Sequence, residues 1–304
     1  AIRAAGFRVA VDAVNSVGGV AIPALLKALG VECVEELNCE PTGHFAHNPE
    51  PLPEHLTEIA EHIRKTKADV GFVVDPDVDR LALICEDGKP FGEEYTLVSI
   101  ADYLLSRVYN EALQSGKSIE EVAAPYQLTT SSNLSSTRAL RDVTEQYGGE
   151  YCTAAVGEVN VTTKMREAGA IIGGEGNGGV IYPASHYGRD ALVGIALFLS
   201  SLAQKGCKVS ELRATFPEYC ISKNRIDLTP EINVDKVLEA VKEKYAGERI
   251  NDKDGVKIDF ADGWVHLRKS NTEPIIRVYS EAATMEEADE LAKKVIDVVW
   301  AVVG

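Results

Sequence analysis

Strand-like and helix-like segments alternate along the first third of the chain, and this alternation restricts the fold more than any other feature of the sequence. Short apolar runs typical of strands are separated by segments whose apolar residues recur at helical spacing. The strands are predicted at residues 7–12, 31–36 and 70–74, and the helices at 20–29 and 53–66. This order predicts a parallel sheet covered by helices, because parallel strands need a crossover long enough to hold a helix.

The same plan returns in the next part of the chain. Strands are predicted near 121–125 and at 150–154 and 170–173, and helices at 134–147 and 159–168. A hairpin predicted at 81–91 and a short strand at 180–183 follow the third strand of each half. We therefore predict two successive mixed-sheet α/β domains of similar topology, at residues 1–112 and 113–222.

The pattern changes after residue 222. A strand at 224–228 and a helix at 233–245 precede three strands with turns at Asp254-Gly255 and Asp262-Gly263, and a helix closes the chain at 285–303. Strands that follow one another through tight turns indicate an antiparallel sheet. We predict a smaller α+β C-terminal domain at residues 223–304.

The overall composition restricts the compartment and the partners. The 304 residues are 45% apolar and 26% charged, as in soluble globular proteins, and no apolar run approaches the length of a membrane span. A net charge of −16 argues against non-specific binding to nucleic acid, whose phosphates require a basic surface. The six cysteines show neither C-x-x-C pairs nor zinc-ligand spacing. We expect a cytoplasmic protein without nucleic-acid or membrane partners, in which a metal ion or clustered arginines bind any anionic substrate.

The segment FVVDPDVDRLAL, residues 72–83, places three aspartates at alternate positions directly after a predicted strand. Asp75, Asp77 and Asp79 would repel one another, by about 4 kcal/mol for two unit charges 4 Å apart at an effective dielectric constant of 20. A divalent cation offsets this repulsion, and three protein oxygens leave positions for water and phosphate, which favours Mg²⁺ over Ca²⁺. Arg80 adds a guanidinium suited to phosphate. The pattern predicts a Mg²⁺ site, and an acidic turn with aspartate caps is the alternative.

A glycine-rich segment, GGEGNGGVI at residues 173–181, follows the strand that corresponds to the one before the aspartates. Glycine lets a backbone approach a ligand closely, and Glu175 and Asn177 offer an acceptor and a donor for hydroxyl groups. Because ligands of open α/β sheets bind beyond the carboxyl ends of the strands, both segments are expected to face one. This predicts a sugar-binding loop, and a plain glycine-rich turn is the alternative.

The segment RKSNTEPIIRV, residues 268–278, combines two arginines with a polar turn. Arg268 and Arg277 flank Ser-Asn-Thr, whose hydroxyls and backbone N–H groups could form an anion-binding nest, and Glu273 could orient an arginine. Guanidinium groups bind phosphate through charge-assisted hydrogen bonds. The segment predicts a phosphate-binding loop, and a polar hairpin turn is the alternative.

The motifs DPDVDR, GEGNGG and RKSNTEPIIR occur in the order found in the α-D-phosphohexomutases, and the chain resembles that family over nearly its whole length. The family includes phosphoglucomutases, phosphomannomutases and phosphoglucosamine mutases. Its members have four domains, which contribute in order a phosphoserine loop, a metal loop, a sugar loop and a phosphate loop. The chain resembles domains two to four. We therefore expect a fragment that lacks the phosphoserine domain and cannot complete turnover by itself.

The resemblance also implies an activity and a role for each motif. Members of the family move phosphate between the anomeric and primary hydroxyls of a hexose, through a phosphoserine and a bisphosphorylated sugar. By resemblance, Asp75, Asp77 and Asp79 hold Mg²⁺, and Arg80 is the catalytic residue that stabilises the transferring charge. The implied sugar-binding residues are Glu175, Asn177 and Gly178, with Gly157 and Glu158 from AAVGEVNV at 154–161, and the implied phosphate-binding residues are Arg268, Ser270, Asn271, Thr272 and Arg277. The expected partner is a phosphorylated hexose, bound by a monomer or weak homo-oligomer.

One departure from the family pattern and two alternatives stay open. Many relatives have Ser-Gly-His where this chain has Asn177-Gly178-Gly179, so a histidine that could assist proton transfer is missing and the hexose is undetermined. An aspartyl phosphatase of the haloacid dehalogenase type also carries D-x-D after a strand and would use Asp75 as nucleophile and Asp77 as acid. A non-catalytic module that binds sugar phosphate is the second alternative.

Overall fold

A computed structural model describes residues 1–229, 232–270 and 273–303. These residues form two compact units. The first unit contains residues 1–133, 139–153 and 157–217. The second unit contains residues 134–138, 154–156 and the described residues from Glu218 onward. No helix in the described ranges is both long and apolar enough to span a membrane.

The first unit begins with a four-stranded mixed sheet. Its strands are β1 (Arg8–Asp12), β2 (Cys33–Leu37), β3 (Val70–Val74) and β4 (Leu81–Cys85), in the order β2-β1-β3-β4. β1 pairs in parallel with β2 and β3, and β4 pairs antiparallel with β3. The helices of this part are α1 (Ile2–Ala5), α2 (Gly18–Leu29), α3 (Thr57–Thr66), which follows a 3₁₀ turn at Pro53–His55, and α4 (Glu93–Ser115). β3 and β4 are buried along their whole length, as expected for strands covered on both faces.

A second sheet of the first unit repeats this arrangement. Its strands are β5 (Gln127–Asn133), β6 (Glu150–Ala154), β7 (Ala170–Glu175) and β8 (Gly179–Ile181), in the order β6-β5-β7-β8. β7 is parallel to β5, and β8 is antiparallel to β7. Its helices are α5 (Ile119–Ala123), α6 (Ala139–Gln146), α7 (Glu158–Ala168), α8 (Ala191–Lys205) and α9 (Val209–Arg213). The predicted pair of α/β sheets with similar topology is confirmed.

The strand predicted near residues 121–125 is wrong, because this segment forms helix α5. Ser118 caps the helix by accepting a hydrogen bond from the Glu121 backbone N–H, and the Glu121 carboxylate accepts one from the Ser118 N–H. This reciprocal capping box favours a helix start over a strand. The strand lies further on, at Gln127–Asn133.

Helix α4 joins the two sheets of the first unit. All of its residues from Tyr95 to Leu105 are buried, and it packs against β4 of one sheet and β7 of the other. A helix buried on all sides belongs to the interior of a larger fold. Residue 112 lies within this helix, and the domain boundaries near 112 and 222 stay predictions.

The second unit is an antiparallel sheet with two helices. Its strands are β9 (Cys220–Asp227), β10 (Arg249–Asn251), β11 (Val256–Asp259), β12 (Trp264–Lys269) and β13 (Ile275–Ala282), in the order β10-β11-β12-β13-β9. The helices are α10 (Val234–Lys244) and α11 (Met285–Val303). Valine and isoleucine side chains of both helices form one buried cluster with those of the strands. This confirms the predicted α+β C-terminal fold.

His266 is a buried titratable group in this unit. Its Nε2–H donates to the Asp254 carbonyl oxygen at 2.6 Å, and in the neutral ring its Nδ1 accepts from Ser135 Oγ at 2.9 Å. Burial lowers the pKa of His266 from 6.5 to about 4, and the charge of Lys257 acts in the same direction. The unfolded chain therefore binds a proton between pH 6.5 and pH 4 that the folded protein excludes.

Acidification is expected to destabilise the fold through His266. Because the unfolded state binds more protons in this window, the free energy of unfolding should fall by about 2 kcal/mol between pH 6.5 and pH 5 from this residue alone. Urea unfolding at several pH values measures the slope. The amide of His266→Gln can keep both hydrogen bonds. In this variant the slope of the free energy of unfolding against pH should correspond to about one proton fewer than in the unaltered protein. An unchanged slope would contradict the assignment.

Candidate active site at the strand ends

The predicted metal loop is the connection between β3 and β4. Asp75 follows the last residue of β3, and its Oδ1 accepts hydrogen bonds from the backbone N–H groups of Asp79 at 3.1 Å and Arg80 at 3.0 Å. Val78 adopts a left-handed conformation with φ of 61°, which is rare for a β-branched residue. This tight turn brings one carboxylate oxygen each of Asp75, Asp77 and Asp79 within 4.8 Å of one another.

The electrostatics of this loop fit a divalent cation. Burial, followed by the nearby Asp79 and Asp77 carboxylates, raises the pKa of Asp75 to about 7. Asp79 Oδ1 is buried and makes no hydrogen bond within the described part of the chain. Two cations lie beside the loop. Arg80 Nε lies 3.5 Å from Asp75 Oδ2 while its Nη1 pairs with Glu50 at 3.3 Å, and Arg189 contacts Asp79 Oδ2. The three aspartates offer hard oxygen ligands, and one of these oxygens, Asp79 Oδ1, is buried without a hydrogen bond in the described structure. Such a set of ligands suits Mg²⁺.

The predicted sugar loop is the turn between β7 and β8. Gly178 has φ of 86°, and a Cβ at this position would lie 2.5 Å from the backbone oxygen of Leu81. Only glycine fits such a close left-handed turn. Asn177 Oδ1 accepts a hydrogen bond from the Gly179 N–H at 3.1 Å, which holds the turn closed.

Glu175, at the end of β7, is the centre of a buried hydrogen-bond network. Its Oε1 accepts from Asn133 Nδ2 at 2.8 Å and from the Gly157 N–H at 3.2 Å. Its Oε2 accepts from Arg189 Nη1 at 3.0 Å. A carboxylate offers about four lone-pair sites, so these three bonds leave room for one further donor such as a sugar hydroxyl.

The metal loop and the sugar loop contact each other within the first unit. The Leu81 N–H donates to the Gly178 carbonyl at 3.0 Å, and the Ala191 N–H, at the start of α8, donates to the Val78 carbonyl at 3.0 Å. Arg189 joins the loops through side chains, since it pairs with both Asp79 and Glu175 and lies 3.2 Å from Glu158. The structure thus brings the predicted metal residues together with Glu175, Asn177, Gly178, Gly157 and Glu158.

The predicted phosphate residues lie in the second unit. Arg268 on β12 and Arg277 on β13 are directly opposite each other in the sheet. Arg277 pairs with Glu273 at 2.6 Å, and Ser270 is buried with its Oγ accepting from the Glu273 N–H at 3.3 Å. Asn271 and Thr272 were also predicted here and lie outside the described residues.

A third arginine stands in the same row. Arg225 on β9 is directly opposite Arg277, so three guanidinium groups occupy adjacent positions on one face of the sheet. Like charges at directly opposed positions destabilise a sheet. Arg277 pairs with Glu273, and Arg225 Nε lies 3.7 Å from Asp227, so acidic neighbours offset part of this charge. The row is a candidate anion-binding surface.

Sequence reasoning missed Arg189, Asn133 and Arg225. Asn133 ends β5 at the sheet edge where ligands bind, but that strand was predicted in the wrong place. Arg189 precedes the Asp190 cap of α8 and belongs to no recognised motif. Arg225 becomes visible only through strand register. A correct strand assignment would have found Asn133, whereas Arg189 and Arg225 have no local signal in the sequence.

Three models of one family match the chain in sequence order. They describe the phosphoglucomutase/phosphomannomutase α/β/α domain II at residues 1–88, α/β/α domain III at 94–219 and C-terminal domain at 226–298. A probable phosphoglucosamine mutase of Methanopyrus kandleri is 32% identical over 97% of this chain and 62% of its own length. A phosphoglucomutase/phosphomannomutase of Thermococcus kodakarensis is 35% identical over 93% of this chain and 58% of its own length. The chain thus spans only part of these relatives.

The fold is also similar to a solved structure. A phosphoglucomutase/phosphomannomutase family protein of Burkholderia thailandensis superposes with a TM-score of 0.82 at 27% identity. The match covers 97% of this chain and 60% of that protein.

Proposed function

This chain belongs to the phosphoglucomutase/phosphomannomutase family, and on that premise we propose that it is part of a phosphohexomutase, an isomerase that interconverts hexose 1-phosphate and hexose 6-phosphate. The observation that carries the proposal is the contact between the carboxylate loop of β3–β4 and the glycine-rich loop of β7–β8. The names of the two relatives differ in the hexose, so the proposal extends to hexose phosphates as a class. The family assignment favours the mutase over the aspartyl-phosphatase alternative.

The proposed metal ligands are Asp75, Asp77 and Asp79. When bound, Mg²⁺ polarises a transferring phosphoryl group and neutralises part of its charge. Arg80 lies beside these carboxylates and is proposed to stabilise the charge of the same group. Its pairing with Glu50 limits the directions in which the guanidinium can point.

The hexose is proposed to bind at the glycine-rich loop and its neighbours. Glu175 and Asn177 would accept and donate hydrogen bonds to sugar hydroxyls, and Gly178 allows the backbone to approach the ring. Gly157 and Glu158, at the start of α7, would complete this surface. A carboxylate and an amide can bind hydroxyls of a hexose in either of the two orientations that a mutase needs.

The phosphate that does not react is proposed to bind at Arg268, Ser270, Asn271, Thr272 and Arg277. Holding this group positions the hydroxyl at the other end of the sugar for attack. A phosphoserine would donate to that hydroxyl and give a bisphosphorylated sugar, whose other phosphate returns to the serine. The expectation that this chain lacks the serine stays a prediction, as does a cytoplasmic location, which agrees with six free thiols.

The mutase proposal is tested by ³¹P NMR of hexose 1-phosphate mixed with the natural protein that contains this chain, Mg²⁺ and a trace of hexose 1,6-bisphosphate. We expect a hexose 6-phosphate resonance to grow and to require the metal ion. Calorimetric binding of the hexose phosphate without interconversion would instead identify a non-catalytic sugar-phosphate module. Release of inorganic phosphate would identify a phosphatase.

Arg225 is proposed as an additional phosphate contact beside Arg277. We expect Arg225→Met to weaken binding of a hexose 6-phosphate about threefold to tenfold, because the exposed guanidinium is partly screened by solvent. Isothermal titration calorimetry measures the change. Arg249→Met, which removes an exposed arginine of β10, is the control and should bind as the unaltered protein does. Equal affinities for Arg225→Met and the control would exclude Arg225 from the clamp.

A further inference from the structure

Arg189 is a partly buried arginine surrounded by carboxylates. Its guanidinium contacts Asp79 Oδ2, donates to Glu175 Oε2 at 3.0 Å and has Nε 3.2 Å from Glu158 Oε2. Only 15% of the side chain is exposed. The residue therefore places a weakly screened positive charge against a proposed metal ligand and two proposed sugar residues at once.

The sequence of the sugar loop accommodates this side chain. A Cβ at Gly179 would lie 2.4 Å from Arg189 Cδ, in the middle of the arginine stem. The φ of Gly179 is not in the left-handed region, so the backbone alone does not require glycine. The glycine and the arginine are thus a sterically matched pair, in which the stem of Arg189 occupies the space beside position 179.

We propose that Arg189 is a positioning residue that acts through Asp79 and lowers the affinity of the Asp75–Asp77–Asp79 cluster for its divalent cation. Arg189 holds Asp79 Oδ2, while Oδ1 of the same carboxylate is buried without a hydrogen bond in the described structure and is free for an ion. The inference rests on the proposed metal role of the three aspartates. In this inference, Arg189 sets the affinity of the three aspartates for the ion.

Two opposing effects decide whether Arg189 raises or lowers the affinity of the aspartates for the ion. Fixing one carboxylate side chain improves ion binding only a few-fold, because a single immobilised side chain carries little entropy. A unit positive charge in contact with a ligand of a divalent ion repels that ion, and in a weakly screened position this lowers affinity on the order of tenfold or more. Ion affinity in oxygen-ligand loops follows the net charge of the site. Repulsion therefore outweighs positioning of the carboxylate.

The test is calorimetric titration of the whole chain with MgCl₂. We expect Arg189→Met to bind Mg²⁺ about tenfold more tightly than the unaltered protein, and Arg189→Lys, which keeps the charge, to stay within about threefold of it. Gly179→Ala should move affinity in the same direction as Arg189→Met, because the added Cβ displaces the arginine stem. Arg166→Met is the matched control, since Arg166 is an exposed arginine of the same unit that stacks on Tyr187.

Thermal unfolding gives a second readout. In EDTA, Arg189→Met should unfold at a lower temperature than the unaltered protein, because the three carboxylates lose the guanidinium of Arg189. Mg²⁺ should raise the unfolding temperature of Arg189→Met by a larger amount than it raises that of the unaltered protein. If Arg189→Met does not fold, Gly179→Ala with Arg166→Met supplies the comparison.

The outcomes separate this inference from the metal site itself. Unaltered protein that binds Mg²⁺, together with an Arg189→Met or Gly179→Ala protein that binds it equally or more weakly, overturns the role of Arg189 and leaves the site standing. Unaltered protein that binds no Mg²⁺ rejects the metal site, and the inference with it.

Discussion

Replacing Asp77 with alanine is expected to abolish Mg²⁺ binding without lowering the unfolding temperature in EDTA. Asp77 is exposed, whereas Asp75 is buried and accepts two backbone hydrogen bonds that shape the loop. Removing the exposed carboxylate therefore takes away a ligand and a negative charge without a structural contact. With two carboxylates left beside Arg80 and Arg189, we expect the dissociation constant to rise at least a hundredfold.

The comparison needs a control that removes the same charge elsewhere. Glu61→Ala changes an exposed carboxylate on α3 of the same unit, where alanine is well tolerated in a helix. Calorimetric titration with MgCl₂ and thermal unfolding in EDTA should leave this variant unchanged. If Asp77→Ala still binds Mg²⁺ with the affinity of the control, the acidic-turn interpretation of DPDVDR is correct and the metal site is wrong.

Local sequence predicted the elements whose burial follows a simple pattern. β3 lies where its apolar run predicted, and the aspartates follow it at once. β5 was missed because its buried side chains are polar. Its Thr130 hydroxyl bonds the Thr144 hydroxyl of α6 at 2.6 Å, so the polar groups are satisfied only by a partner that a single segment does not contain.

The site shows the same division between local and long-range information. Each motif could be recognised within a short segment, because alternate aspartates, or glycines next to an acceptor, have a chemistry that local sequence shows. The roles of their residues stay predictions. Arg189 contacts Asp79, which lies 110 positions earlier in the chain. Arg225 lies opposite Arg277 only because strands β9 and β13 pair in the sheet. Such pairs depend on the packing of the first unit and on the register of the second, which periodicity does not encode.

The two proposed charged sites follow one physical rule. Each site brings like charges together, three carboxylates in one loop and three arginines in one row, and each would gain from binding a ligand of opposite charge. Since a phosphorylated hexose carries its charge on the phosphate, the arginine row should distinguish it from the free sugar. Glu175 and Asn177, which are proposed to bind hydroxyl groups, should not distinguish the phosphorylated sugar from the free one.

Replacing Arg277 with alanine is therefore expected to weaken binding of a hexose 6-phosphate by about tenfold to a hundredfold, the usual loss for hydrogen bonds to a charged group. Arg277 is the middle member of the row, and its partner Glu273 would be left as an uncompensated negative charge near the anion. Binding of the free hexose, followed by saturation-transfer NMR, should change less than twofold. Lys236→Ala removes an exposed positive charge from α10 and serves as the control. Equal losses for the phosphorylated and the free sugar would mean that Arg277 stabilises the sheet and does not bind the phosphate.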